Sequence, residues 1–399
     1  MADLEKLIEL DRLARQDGAR YDKRRFLFSK ISLSAGKHFT GIAGPRGVGK
    51  TILLKQLACE HKDSFYVSLD TLSEDLFETV KKIHTELKTK LFLLDEVHFH
   101  PRFEEGLKKI YDFLDVKIVF TSSVSLVLFQ SSYDLSRRVQ IKKLYPFSLR
   151  EYLFFKQGVY VPAMTLQDIF EKKWDREHLG FAVHFDDYLN GGIFPFSLDE
   201  PAPLPVLKNI LKTIIMKDIA KVGGVSVDEL ETIERVVAFI AKAGVEKINY
   251  STLSRNLGIT KYKAEQYTGL LEKAFVLNQV FPKGTNVLKE PKILMAVPYR
   301  LLWNDFEQAI GGLREDFFVE TLRSMDIDCH YLKSTRGAKT PDYLVPYRNE
   351  EIVIEVGGKG KGREQFKGIT VEKKMILSHS LSSEGIKRPL FLLGFVESD

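Results

Sequence analysis

The residues Gly44, Pro45, Arg46, Gly47, Val48, Gly49, Lys50 and Thr51 fit the pattern G-x-x-x-x-G-K-[ST]. Its glycines open backbone conformations closed to residues with a Cβ, so successive N–H groups can converge on phosphate oxygens. A helix starting near Gly49 would add the positive end of its dipole. Lys50 would neutralise charge on the β- and γ-phosphates, and the Thr51 hydroxyl would ligate Mg²⁺. This is the chemistry of a nucleoside triphosphate site.

A second group of residues supplies what hydrolysis needs. The apolar run Leu91-Phe-Leu-Leu ends in Asp95 and Glu96. Asp95 at a strand tip suits a metal ion held through water, and Glu96 is placed to polarise the attacking water. Ile118-Val-Phe-Thr-Ser-Ser123 ends in hydroxyls. Ser122 or Thr121 there could contact the γ-phosphate or the water; the competing role is a helix N-cap made by Ser122 or Ser123. Arg137 and Arg138 precede a further strand. An arginine at that point could stabilise γ-phosphate charge in its own subunit or in a neighbour's, or could simply pair with a surface carboxylate. His98 and His100 read as loop residues near the sheet edge.

The elements that must position these groups alternate. Strand patterns at 39–43, 64–69, 91–95, 117–121 and 139–144 are separated by helical patterns, including 73–86, 102–114 and one near 123–131. Such alternation predicts a parallel sheet with helices on both faces, and ligands at the carboxyl ends of its strands. An amphipathic helix over 2–16, carrying Leu4, Leu7, Ile8, Leu10 and Leu13, precedes the sheet.

Beyond residue 150 the pattern turns helical and aromatic. Helices at 230–243, 250–257 and 261–274, followed by the strand 275–281, outline a winged helix-turn-helix. Lys261, Tyr262, Lys263, Gln266 and Tyr267 near the start of the last helix could reach phosphates and base edges of DNA; the alternative is a structural adaptor.

Glu315 on a helix, Asp342 opening a strand and Glu355 in the next strand resemble the outline of a PD-(D/E)xK nuclease fold. Such a site gathers carboxylates around Mg²⁺ and adds a lysine. Position 357, where the lysine would stand, is glycine. Lys359 lies on the same face if the strand continues, with its Cα about 6.6 Å further along. The two readings are an active nuclease site using Lys359 and a degenerate fold used for binding or assembly.

Composition sets the outer bounds. The chain has 399 residues, 44% hydrophobic and 28% charged, as expected of a soluble globular protein of several domains. Its net charge of +5 is no nucleic-acid footprint. No apolar run reaches the length of a membrane span, so no membrane partner is expected. Two cysteines, Cys59 and Cys329, in so long a chain fit a reducing cytoplasm better than a disulfide scaffold.

Taken together, these residues resemble the AAA+ branch of P-loop ATPases. The likeness is closest to prokaryotic ATPases that pair this core with a C-terminal domain of uncharacterised function. It is carried by Arg24-Arg25-Phe, the loop Gly44–Thr51, Phe92-Leu-Leu-Asp-Glu96 and Thr121-Ser-Ser123. Leu135-Ser-Arg-Arg-Val139, Leu144-Tyr-Pro-Phe-Ser-Leu-Arg-Glu-Tyr152 and Tyr188-Leu-Asn-Gly-Gly-Ile-Phe-Pro195 extend it. The resemblance implies ATP with Mg²⁺ and maps the family arginine onto Arg138, which would join subunits of a homo-oligomer.

The expected architecture is α/β: an AAA+ core over 1–150, a helical lid over 151–228, a winged helix over 229–284, and a restriction-endonuclease-like α/β domain over 285–399. The expected function is ATP hydrolysis coupled to movement of the C-terminal modules, on DNA or a DNA-bound protein. The alternatives are an ATP-gated, Mg²⁺-dependent DNA nuclease and a nucleotide-dependent DNA-binding switch with little turnover.

Overall fold

The computed structural model describes residues 4–31, 37–124, 135, 137–245, 248–284, 290–332 and 340–397. The helix expected near 123–131 falls almost wholly outside these. The chain divides into two compact units, Met1–Tyr145 and Pro146–Asp399.

The first unit opens with α1 (Leu4–Gly18) and then builds its sheet from β1 (Phe39–Ala43), β2 (Ser64–Ser68), β3 (Leu91–Asp95), β4 (Lys117–Ser122) and β5 (Val139–Lys143). The spatial order is β2-β3-β4-β1-β5, and every pairing is parallel. The intervening helices are α2 (Lys50–Glu60), α3 (Leu76–Leu87) and α4 (Phe103–Phe113).

Burial explains why the strands read as continuous apolar runs. Phe92 and Leu94 of β3 join Phe65, Val67, Ile118 and Phe120 in a core with Val80 and Ile83 of α3 and Leu107 and Ile110 of α4. Leu93 and Val119 point the other way and are equally buried, while α2 contacts β2, β3 and β4. Strands covered on both faces have no polar face to show. β5 is different. As an edge strand it is exposed from Gln140 to Lys143, and its lysines suit an open edge.

The first helix departs from its expected packing. Ile8, Leu10 and Leu13 are 40–46% exposed, so those three do not form the buried stripe their spacing implied. Leu4 and Leu7 do pack, partly buried, against the core, and polar contacts add to their hold on α1. Arg15 donates to the carbonyls of Ala58 and Ser64, and Asp11 accepts from the Tyr66 N–H at 2.8 Å.

The second unit is helical first, with Leu149–Gln157, Pro203–Thr213, Val227–Lys242, Tyr250–Leu257 and Lys261–Lys273 among its helices. Ser148 and Glu151 close a capping box on the first of these. The antiparallel hairpin β6 (Leu277–Val280) and β7 (Lys292–Met295) follows, then the helix Phe306–Ser324.

A second sheet comprises β8 (His330–Tyr331), β9 (Tyr343–Tyr347), β10 (Glu350–Gly357), β11 (Lys373–Ser378) and β12 (Lys387–Pro389), in the order β12-β11-β10-β9-β8. The β6–β7 hairpin crosses residue 284, and a hydrogen bond from a buried arginine ties the segments on either side of it. Arg300 pairs with Asp316 and also donates to the Ile240 carbonyl at 3.1 Å.

Candidate nucleotide site and a second acidic cluster

The order of the first sheet assembles the nucleotide site. β4 lies between β1 and β3, with Ala43 opposite Ser122 and Leu94 opposite Phe120. The loop after β1, the carboxylates ending β3 and the hydroxyls ending β4 therefore meet at one end of the sheet.

The loop has the backbone that its sequence requires. Gly47 and Gly49 take φ of 83° and 89°, in the left-handed region that favours glycine. Gly44 is fixed by close approach: a Cβ there would lie 2.0 Å from the Leu144 carbonyl oxygen. Gly49 caps α2 with no side-chain hydrogen bond, so first-turn N–H groups remain for an anion. The Lys50 ammonium is buried and donates to the Gly44 and Pro45 carbonyls, both at 2.8 Å. Pro45 and Val48 are buried, whereas Arg46 is half-buried against the Phe99 ring at 5.5 Å. Arg25, also buried, donates to the Val48 carbonyl and to the Tyr145 carbonyl at 2.7 Å. It braces the loop from below. The pair Arg24-Arg25 marked the resemblance, but its sequence position gave no hint of this task.

Asp95 is 2% exposed and surrounded by hydroxyls. Thr121 donates to one oxygen, Tyr66 donates to the other at 2.9 Å, and Thr51 is a further hydrogen-bond partner. Burial, then the neighbouring Glu96 charge, pushes the Asp95 carboxyl above its ordinary range against these hydrogen bonds. A divalent cation would offset both causes. Burial and the Asp95 charge push the Tyr66 phenol up in turn. A buried carboxylate beside a threonine hydroxyl offers hard oxygen donors of the kind Mg²⁺ prefers. The loop, Lys50 and this pair therefore fit a nucleoside triphosphate with Mg²⁺.

Glu96 has a left-handed backbone, with φ of 52°. Its N–H donates to the Thr121 hydroxyl at 2.9 Å. Ser123 donates to both carboxylate oxygens, at 3.0 and 3.1 Å, and His98 Nδ1 lies 3.3 Å from Oε2. The hydroxyl that reaches Glu96 is thus that of Ser123. Ser122, expected to sense the γ-phosphate, is turned aside: its hydroxyl donates to the Val124 carbonyl at 2.9 Å. β4 ends at Ser122, and the turn that follows brings Ser123 to the carboxylate. His98, read as a loop residue, is buried against the carboxylate.

Ser123→Ala is expected to lower turnover about 10- to 150-fold, the effect of a lost hydrogen bond to a charged group. Ser122→Ala should change it less than about threefold. Steady-state phosphate release from both variants checks this, and the reverse ranking would restore Ser122 to the role.

Arg138 stands elsewhere. Its carbonyl accepts from the N–H of Phe39, the first residue of β1. That is the amino end of the strand, about 13 Å from the loop at about 3.3 Å per residue. Its guanidinium lies 3.2 Å from Asp112 and over the Tyr111 ring. At that strand end Arg138 stands away from the loop of its own chain and pairs with a surface carboxylate, the alternative that the sequence also offered.

The residues expected to form a second site do converge, with one exception. Ile354 opposite Tyr343 in the antiparallel register sets Glu355 beside Asp342. Glu315 accepts from the Tyr343 hydroxyl at 2.6 Å and pairs with Lys292. Burial first, then the Glu315 charge, pushes Asp342 up to about 7. The exception is Lys359, which is exposed. β10 ends at Gly357 and the chain turns, with the Lys361 N–H donating to the Gly358 carbonyl, so strand parity no longer holds at 359. Lys361 pairs with Glu355 in its place.

The proposed DNA-facing helix is occupied internally. Lys261 pairs with Glu290 at 2.7 Å, and Lys263 pairs with Glu229. Tyr267 donates to Glu229 at 3.1 Å, while Tyr262, 72% exposed, and Lys261 face outward.

Comparison with known proteins agrees with the first unit. Residues 37–153 match the family described as AAA domain, and residues 183–296 match a domain of unknown function, DUF8612. Loop, sheet and family match together fit a P-loop core of AAA+ type. A relative is the uncharacterized protein MJ1637 of Methanocaldococcus jannaschii, 27% identical over 416 positions that cover 91% of this chain and 87% of that one.

Solved structures with local likeness include a RuvB mutant of Thermotoga maritima, at 14% identity and a TM-score of 0.31 over 70% of this chain and 91% of that one. The Aeropyrum pernix ORC1 protein in complex with DNA gives 13% and 0.30 over 79% and 93%. The fold is defined by the chain's own sheet order. No helix among the described residues is long and apolar enough to cross a membrane.

Proposed function

We propose that the first unit binds ATP with Mg²⁺ and hydrolyses it, and that the cycle drives movement of the C-terminal elements in the cytoplasm. One observation carries the reading: the loop after β1 that leads to Lys50 and Thr51 at the start of α2, Asp95 and Glu96 after β3, and Thr121 and Ser123 after β4 follow three neighbouring strands of one parallel sheet. Phosphoryl transfer depends mostly on positioning and charge, and these residues supply both. Bound Mg²⁺ would supply charge neutralisation on the phosphate oxygens. Lys50 and the N–H groups of α2 hold the phosphates. Thr51 and Asp95 present oxygens to the metal. Glu96, oriented by Ser123, takes the proton of the attacking water. Arg138 would act only from a second copy, which makes a homo-oligomer part of the reading.

DNA, or a DNA-bound protein, is the proposed target. A winged-helix use of 229–284 would present Tyr262 with Lys261 and Lys263, whose ion pairs with Glu290 and Glu229 would exchange for phosphates. A nuclease reading of 285–399 would keep Glu315, Asp342 and Glu355 and take Lys361 in place of Lys359.

The test is ATP turnover across protein concentrations, with and without duplex and single-stranded DNA. Turnover per chain is expected to rise with concentration and with DNA. Arg138→Ala should abolish the concentration dependence; a variant that keeps it would remove the arginine from the reading.

A further inference from the structure

The first unit ends at Tyr145 and the second begins at Pro146. Whatever one unit passes to the other along the chain crosses that peptide bond. Arg25, 7% exposed, spreads its guanidinium between two carbonyls just before it. One terminal nitrogen donates to Val48 inside the phosphate loop, and the other donates to Tyr145 at 2.7 Å. Leu144 is tied to the start of the same loop twice. Its N–H donates to the Ala43 carbonyl at 2.8 Å, and its carbonyl oxygen lies so near Gly44 that a Cβ there would come within 2.0 Å.

The second unit holds the other side of the bond. Phe147 is 1% exposed. Its N–H donates to the Ile193 carbonyl at 2.8 Å, and its own carbonyl accepts from the Tyr188 hydroxyl at 2.7 Å. Ser148 then caps the helix Leu149–Gln157. Pro146 is therefore the single residue between two clamps. Its ring fixes its own φ, and a proline also restricts the residue before it. A connection so short and stiff has little freedom to absorb a displacement.

We propose that Arg25 is the positioning residue through which phosphates bound at Gly44–Thr51 set the place of Tyr145, and that Pro146 passes the change to Phe147 and the helix behind it. This route rests on the ATP reading above and gives the movement of the C-terminal elements a starting point. Phosphates recruit the loop backbone and Lys50, so their arrival is felt at Gly44 and Val48. Gly44 abuts Leu144 directly, and Val48 reaches Tyr145 through Arg25. Hydrogen bonds from a cation are about twice as strong as neutral ones, so loop, Arg25 and Tyr145 shift together.

The test is hydrogen–deuterium exchange of the full chain with Mg²⁺ and a slowly hydrolysed ATP analogue, read on peptides spanning Phe147. Fluorescent-nucleotide titration of the same samples fixes saturation. Saturating the parent is expected to slow exchange there about threefold or more, while the β6–β7 hairpin stays unchanged. Two variants should lose the slowing at saturation. Arg25→Met removes both donations, and a Gly-Gly insertion between Tyr145 and Pro146 slackens the joint while leaving both clamps in place. If Arg25→Met does not fold, the insertion decides alone. Saturating binding with unchanged exchange in the parent would overturn the route, as would slowing that survives either change or that extends equally to the hairpin. Absence of binding by the parent would refute the ATP reading, and the route with it.

Discussion

Glu96→Gln is expected to keep ATP affinity within about threefold of the parent while turnover falls about 10²- to 10⁴-fold, the range of a positioned general base. The substitution preserves shape and the contact with Ser123, which donates to the carboxylate at 3.0 and 3.1 Å and can donate equally to an amide oxygen. It removes only the basicity. Binding should survive because Lys50 and the α2 amino end lie apart from that carboxylate. Fluorescent-nucleotide titration beside phosphate release separates the two effects. Unchanged turnover would mean that another group takes the proton, and the buried His98 beside Glu96 would then be the next residue to replace.

Lys50→Ala is the companion experiment with the opposite signature. Loss of one charge-assisted hydrogen-bonding group costs about 1.5–3 kcal/mol, or about 10- to 150-fold in Kd. The folded state also changes, since Gly44 and Pro45 lose the ammonium that their carbonyls accept. A melting curve without nucleotide reads that structural part. Triphosphate affinity equal to the parent's would refute the phosphate-binding role of the loop.

The first unit was largely legible in the sequence because its information is local. Leu91–Asp95 announces a strand and its tip in five consecutive residues, and the loop Gly44–Thr51 carries its backbone requirement in its glycines. What stayed hidden depends on groups far apart in the chain. Tyr66 meets Asp95 and Arg25 meets Val48 only once the sheet is assembled. Ser123 and Ser122 differ by one residue, and the turn after β4 decides which of them faces Glu96.

In the second unit, strand parity ran out at Gly357. A turn, not a longer strand, brought Lys361 to the carboxylate. β8 spans two residues and β12 three, too few to show a period. Arg138 illustrates another limit. Its identity suggested phosphate chemistry, yet the strand end it occupies is set by topology alone.

Lys50 rests on two carbonyls of its own loop. The freedom of a long, flexible side chain, worth about 2 kcal/mol, is therefore surrendered on folding and not when a nucleotide arrives. ATP meets a cation already confined and need only exchange carbonyl oxygens for phosphate oxygens. Recognition at this loop is then a swap of partners with little ordering of the protein, and its selectivity lies in how much better the β- and γ-phosphate charges hold that ammonium than two peptide dipoles do.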